Sequence, residues 1–329
     1  MRRSRRSVLA AGVVGVVALS ACSSSPGQSP VGVVAPPPTA AALPPVVVPT
    51  VPAPTATTPP ITAAPTPTTV AAAKAGWTVV STSGGTVAVD QQTVTNPDGS
   101  HVVVARFHHG TFRLGLHAGS GDPPTGGAAL TDVARSTVAP SERPLLLAAF
   151  NGGFKISAHV GGFEVGGHVL SPLVNGEASV VIDANGTPTI GIWGRDEPRP
   201  GATVVSVRQN LPPLVDAGRA SATIDQVPAW GPTIGNRAMV ARSALAVDQS
   251  GDLLYAGSVA ALPADLATTL LSTGATTAME LDINPQWVQL DTAATAGGPL
   301  SVSLPGQTRP ADQYLSGWTR DFFTVLSAA

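Results

Sequence analysis

Cysteine occurs once in this chain of 329 residues, lysine and tyrosine twice each, and charged residues make up only 12% of it. A single cysteine excludes an intramolecular disulfide and any cysteine-built metal site, so a fold outside the cytoplasm has to be held by packing alone. No basic stripe is present either: 18 basic residues stand against 20 acidic ones, and nothing in their spacing could displace counterions from a phosphate backbone, which argues against nucleic acid as a partner. A long apolar run is also missing. The nearest approach, between Val8 and Ala21, is too short and too rich in alanine for a membrane span. The stretch from Ser23 to Ala73 has no charge at all.

The first 21 residues combine a basic start, a short apolar core and small residues at the end, the layout of an export signal. Ser4-Arg5-Arg6-Ser7-Val8-Leu9 looks like a twin-arginine signal, which would imply export in a folded state. Leu19-Ser20-Ala21-Cys22 resembles a bacterial lipoprotein cleavage box, with Cys22 as the lipidated first residue; an ordinary secretory signal carrying a free cysteine is the alternative. Cleavage there removes Arg2, Arg3, Arg5 and Arg6, leaving 14 basic against 20 acidic residues and a net charge of −6 with histidine neutral. Such a chain gains no electrostatic help from anionic lipids, so the lipid itself would be the membrane anchor.

Residues 22–75, rich in Pro, Thr, Ala and Val, can neither run a helix through their prolines nor bury an alternating face. They are expected to be a disordered spacer, partly polyproline II, reaching on the order of 150 Å at about 3.1 Å per residue. The remainder, residues 76–329, is enough for one domain with a large core. Its signals are mostly strand signals: Trp77–Val80, Val102–Phe107, Thr111–Leu116, Ala178–Asp183, Thr189–Trp193, Thr203–Val207, and a hairpin from Ala241–Val247 to Leu253–Gly257. Asn96-Pro97-Asp98-Gly99, Asn185-Gly186 and Asp248-Gln249-Ser250-Gly251 read as turns. Helices are expected at Leu130–Val138, started by Thr131 or Asp132 and stopped by Pro140, and near Leu262–Thr273, with Pro263 at its start and Gly274 as its cap. The segment Pro310–Leu326 should close the sheet, with Trp318 in the core. The expected class is α+β: one predominantly β domain of mixed sheet with a few helices. His108, His109 and His117 lack the spacing of a metal site, and no metal or cofactor is implied.

Two stretches carry candidate chemistry. Leu145–Phe150 is an apolar run of strand length that stops at Asn151-Gly152-Gly153, followed by Phe154 and Lys155. Such a run suits a strand covered on both faces. Successive glycine amides can form a nest for an anion, with the Asn151 amide at its mouth; the same triplet also serves as an ordinary turn. Lys155 could pair with a phosphodiester oxygen or lie exposed on the loop. In the second stretch, Ala278–Trp287, Met279, Leu281 and Ile283 alternate with Glu280, Asp282 and Asn284. A strand would send the first set into the core and line up the acids, roughly 7 Å apart, on the other face. If solvated, they form a polar face; if covered, they should raise each other's pKa and supply acid/base asymmetry. Arg208 and Asn210, two residues apart at a strand end, are further candidates for a glycan or phosphate contact.

The order of these pieces resembles the phosphodiester glycosidase family. The likeness rests on the strand into Asn151-Gly152-Gly153-Phe154, the Gly161-Gly162-Phe163 and Gly166-Gly167 turns, Ala178–Asp183 with Asn185-Gly186, Ala241–Asp248 with Gly251, and Leu281-Asp282. It covers most of the chain after Gly76. The best-known member of that family, the uncovering enzyme, removes N-acetylglucosamine from a phosphodiester on lysosomal glycans; the resemblance here is to bacterial relatives. It implies hydrolysis of a glycosidic bond to a phosphodiester in an envelope glycan, with Asp282 and Glu280 sharing acid/base or nucleophile duties. Asn151, Gly152 and Gly153 would hold the scissile group, and Arg242 or Lys155 would offset phosphate charge. One departure stands out. Where the family has a glycine-rich, serine-containing turn, this chain reads Ile283-Asn284-Pro285-Gln286-Trp287, which suits stacking of a sugar ring more than wrapping a phosphate. A non-catalytic envelope-glycan-binding lipoprotein, with Trp287 and Trp230 as stacking platforms, is the competing reading.

Overall fold

The protein's computed structural model describes residues 76–126, 130–131, 134–232, 235 and 237–328. The expected export signal, Cys22 and the spacer lie outside the described residues. Among those described, three antiparallel sheets and two helices make up the architecture, a predominantly β chain of α+β class.

The largest sheet has eight strands, in the spatial order β1 (Thr78–Ser83), β2 (Thr86–Thr95), β3 (His101–Phe107), β14 (Leu253–Ala261), β13 (Val240–Asp248), β15 (Ala275–Glu280), β11 (Val215–Asp216) and β12 (Arg219–Ala220). Both of its faces are covered. Val103, Ala105, Phe107, Leu245 and Met279 point into a central core shared with the other sheets, while Val102, Val104, Ala244, Ala246 and Ala278 pack with Trp230 against Leu266 and Leu270 of α1 (Pro263–Ser272). The period-2 alternation of strand side chains produces this division. α1 starts as the sequence suggests, with Pro263 at its first turn and the Asp265 carboxylate accepting the Leu262 amide at 2.7 Å. It ends before Gly274, whose φ of +102° suits glycine.

A five-stranded sheet in the order β17 (Leu300–Val302), β16 (Leu290–Ala293), β5 (Leu146–Asn151), β18 (Phe322–Ser327) and β4 (Phe112–His117) holds the apolar run at its centre. Every residue of β5 is buried, in keeping with its unbroken apolar pattern. Phe150 meets Phe107, Tyr255 and Phe323 with ring centroids 5.0 to 5.9 Å apart. The C-terminal segment closes this sheet as expected, β18 bonding to both β5 and β4, and Trp318 is buried. The second five-stranded sheet runs β7 (His168–Ser171), β6 (Phe163–Val165), β10 (Val204–Asn210), β8 (Ala178–Asp183), β9 (Pro188–Ile192).

Three local expectations need correction, and one strand goes unforeseen. The described residues of 130–138 form bends and a 3-10 turn in place of an α-helix; tertiary bonds hold them, Ala118 N donating to Ala134 O at 2.9 Å. β10 does not end before Arg208 but runs through Asn210, because polar partners inside the protein satisfy both side chains. β15 stops at Glu280, so the alternating pattern does not reach Asn284. β2 is the unforeseen strand because Asp90 interrupts its pattern; the strand accommodates that acid by burying it against Arg106 (Nε to Oδ1 2.9 Å), whose guanidinium lies 4.0 Å over the Trp77 ring. No helix among the described residues is long and apolar enough to cross a membrane.

Candidate active site

The expected nest of successive amides does not form: the Asn-Gly-Gly turn receives one of the protein's own carboxylates, and only the Gly153 amide bonds to it. Asp321, just before β18, places Oδ2 3.1 Å from the Gly153 amide and 2.7 Å from Nε of Arg208. Its backbone oxygen also accepts the Gly152 amide at 3.0 Å. The glycines are required by this approach: a Cβ on Gly152 would stand 1.9 Å from Asp321 Oδ2, and one on Gly153 2.7 Å from Arg208 Nη2. Gly152, Gly153 and Arg208 are therefore engaged internally, not turned toward a substrate. Arg208 is 1% exposed and also donates to the carbonyls of Phe154 and Gln209.

Asn151 is likewise committed. Its amide nitrogen donates to Ser243 Oγ and Gly152 O, both at 2.9 Å, while its oxygen accepts from the Tyr255 hydroxyl at 2.9 Å and the Gln289 amide at 3.1 Å. With two donors and two acceptors used, the side chain ties β5 to β13 and β14 and has no capacity left for a scissile group. Asn210 does similar work, accepting the Phe154 amide at 3.2 Å and donating to Glu280 O and Leu281 O at 2.7 and 3.0 Å. It clamps the glycine loop to the end of the acidic strand.

The two carboxylates expected to act together face different partners. Glu280 is fully buried on the α1 side of its sheet and pairs with Arg242 Nη1 at 2.7 Å. The same Nη1 also donates to Trp230 O at 3.0 Å and Nε to Ala261 O at 3.2 Å, while Nη2 is buried with no partner among the described residues. Arg242 thus answers a buried carboxylate instead of a phosphate, and Glu280 lies outside the cleft. Burial raises the Glu280 carboxyl, and the Arg242 charge works against that. Trp230 is also removed from any stacking role, being 2% exposed with its Nε1 on Thr223 O.

Asp282 is the carboxyl that reaches a cavity. It lines a cleft of about 150 Å³ with Phe154, Lys155, Ala158, Pro232, Ile283, Asn284 and Trp287. Burial pushes its pKa up to about 7, against the attraction of Arg320. The mutual repulsion expected from Glu280 is minor beside this desolvation. Asn284 caps Asp282, its amide bonding to Oδ1 at 2.8 Å, and then accepts the amides of Gln286 at 2.9 Å and Trp287 at 2.8 Å. This turn delivers Trp287 to the cleft. Lys155, exposed on the loop, holds its ammonium 5.0 Å above the Trp287 ring.

Two residues of this site escape sequence reasoning. Arg320 stacks 4.4 Å over the Trp287 ring, donates to Gly153 O at 2.8 Å, and lies 3.3 Å from Asp282 Oδ2 and 2.7 Å from Asp122 Oδ2. Asp122 in turn accepts the Ile156 amide and has its carboxyl raised, by burial first. Neither sits in a motif or a periodic pattern; the Arg320-Asp321 doublet inside an apolar terminal segment is the only local hint. The expected histidines take structural places. His108 lies 3.4 Å from both Asp90 and Asp252, and His117 is stacked on Phe322 at 4.4 Å.

No protein-family model matches this chain, and no curated protein matches it significantly. Among solved structures it is similar to the zebrafish N-acetylglucosamine-1-phosphodiester alpha-N-acetylglucosaminidase catalytic domain, auto-inhibited by its pro-peptide, with a TM-score of 0.47, 16% identity, and 72% of this chain and 82% of that one covered. A hypothetical protein from Synechocystis aligns with a TM-score of 0.44 and 13% identity over 74% of this chain and 63% of its own. At these scores the likeness decides neither family nor activity.

Proposed function

We propose that this chain is a hydrolase that cleaves a glycosidic bond to a phosphodiester in an extracytoplasmic envelope glycan, anchored through a lipid on Cys22. The observation that carries the reading is a carboxyl raised to about 7, Asp282, opening into a cleft walled by Trp287 and Lys155 and backed by Arg320. A phosphate leaving group needs charge compensation more than a proton, because its second pKa lies near 6. Lys155 and Arg320 supply that compensation. Asp282, poised near neutrality, takes the proton of a water whose oxygen attacks the anomeric carbon; the carbon–oxygen bond breaks with its electron pair on the departing phosphomonoester. Asp122, sharing Arg320 with Asp282, takes the place of the second carboxylate that Glu280 was expected to fill. Arg208, Asn210, Asn151 and the two glycines set the loop that carries Lys155.

The test is product release from a panel of sugar-1-phosphodiesters and from purified envelope glycan, comparing the wild-type protein with Asp282→Asn. Release by the wild type and a loss of at least about a hundredfold in the variant is the expected result, the size usual for removal of a general base. Equal release by both would remove Asp282 from the mechanism. One observation favours the binding reading: both Asp282 oxygens already have partners, Asn284 N and Arg320. Under it, Trp287→Ala abolishes glycan retention while neither protein releases product.

A further inference from the structure

A second, larger cavity lies away from Asp282, at the seam between the two five-stranded sheets. Its volume is about 610 Å³, within the usual range for small-molecule sites. Leu114 and Leu116 of β4, Leu326 of β18, Val165 of β6, Ile182 of β8 and Val205 of β10 line it. Among these apolar residues, and beside polar ones that include Asp183, Asn185 and Ser206, the chain places the Glu142 carboxyl, from the turn before β5. Its Oε2 accepts the Ala139 amide at 3.1 Å. Its Oε1 lies beside Gly115, where a Cβ would come within 3.5 Å of it, and no described residue bonds to that oxygen.

A carboxyl with 9% of its side chain exposed calls for a cation or a donor. His117 stands 3.4 Å from Oε2 but is fully buried, with its pKa lowered to about 4, so it stays neutral. Its ring nitrogens are taken by Arg135 O at 3.0 Å and Thr324 Oγ1 at 3.1 Å. Burial with no compensating charge pushes the Glu142 carboxyl up to about 7. Arg113 and Asp183 line the same cavity, yet neither pairs with Glu142 among the described contacts. The site offers apolar area and, at Glu142 Oε1, one acceptor that no cation or donor among the described residues meets.

We propose that this cavity binds a small amphipathic organic cation, an apolar body carrying one primary ammonium group that donates to Glu142 Oε1. An anion would face the Glu142 carboxyl, and the leucine and valine side chains call for an apolar body to cover them. The ammonium restores the ionised form of Glu142 and the body covers the apolar walls.

Isothermal titration of the purified full chain with phenethylamine and with its near-isostere 2-phenylethanol tests this, in wild type, Glu142→Gln, Val205→Trp and Asp282→Asn. The amine is expected to bind wild type about tenfold or more tightly than the alcohol, a difference of about 1.4 kcal/mol. Glu142→Gln should erase that preference, Val205→Trp should abolish binding of both by filling the cavity, and Asp282→Asn should leave both unchanged. Equal affinity for amine and alcohol in wild type would overturn the proposal, as would amine binding that survives Glu142→Gln at full strength or the absence of saturable binding. The amine-to-alcohol ratio in wild type decides the matter even where a variant fails to fold.

Discussion

Replacing Gly152 by alanine tests whether the glycine loop exists to admit an internal carboxylate. An alanine Cβ would stand 1.9 Å from Oδ2, 2.5 Å from Cγ and 2.9 Å from the backbone oxygen of Asp321. The backbone contact blocks relief by rotation of the Asp321 side chain alone. The carboxylate must move off both the Gly153 amide and Arg208 Nε, now 3.1 and 2.7 Å away. Both charges are 1% exposed, so their separation leaves a buried guanidinium without its counter-ion, at a cost of about 3–5 kcal/mol. For a domain near 250 residues, with about 2–4 °C per kcal/mol, the unfolding midpoint should fall by roughly 6–20 °C. Urea denaturation and calorimetry read this directly. Gly166→Ala is the control: Gly166 has φ +58° with nothing within 4 Å of the added Cβ, so only the left-handed backbone cost of about 1–2 kcal/mol applies. If Gly152→Ala costs no more than Gly166→Ala, the close-approach reasoning is wrong.

The remaining expectations concern charge and anchoring. If ionised Asp282 is the base, kcat/KM should rise about tenfold per pH unit up to about pH 7 and level off above it; a profile flat from pH 5 to 8 would exclude that role. His108 has its pKa raised to about 9, chiefly by Asp252 and then Asp90. Its stabilising contribution is complete below the unfolded value of about 6.5 and is lost as pH climbs toward 9, by about 1–2 kcal/mol after allowance for solvent screening. His108→Gln should flatten that part of the stability–pH curve and, because His108 helps to hold the Asp252 and Asp90 carboxyls low, also weaken the acid side; identical alkaline slopes in the two proteins would refute it. Cys22→Ser should move the protein from the membrane fraction to the soluble fraction and abolish incorporation of labelled palmitate, and continued membrane association would rule out the lipid anchor.

Much of the β framework could be read from local pattern, for a physical reason. The β-rich runs of β3 and β13, the unbroken apolar run of β5, the Asn-Gly and Asp-x-x-Gly turns, and the proline and glycine at the two ends of α1 all act over a few residues. Asp282 could be picked out in the same way, though only together with Glu280, as one of two acids along an alternating run. Its partners could not. Gly152 and Gly153 announce a close approach without saying to what, and the answer, Asp321, sits just before β18, 168 residues beyond Gly153.

Arg242 and Arg208 read as equivalent cations beside a site, yet each is consumed by a buried carboxylate, Glu280 and Asp321 respectively. Arg320 and Asp122, which carry no pattern, arrive at the cleft from opposite ends of the domain's sequence. Local chain geometry follows from short-range sterics and periodic burial, so the sequence by itself determined the strands, the turns and the helix. Which charges neutralise one another depends on where sheet pairing brings distant residues together in a medium too poor in water to leave any of them alone. That choice, and with it the identity of the cleft, was made by the tertiary structure.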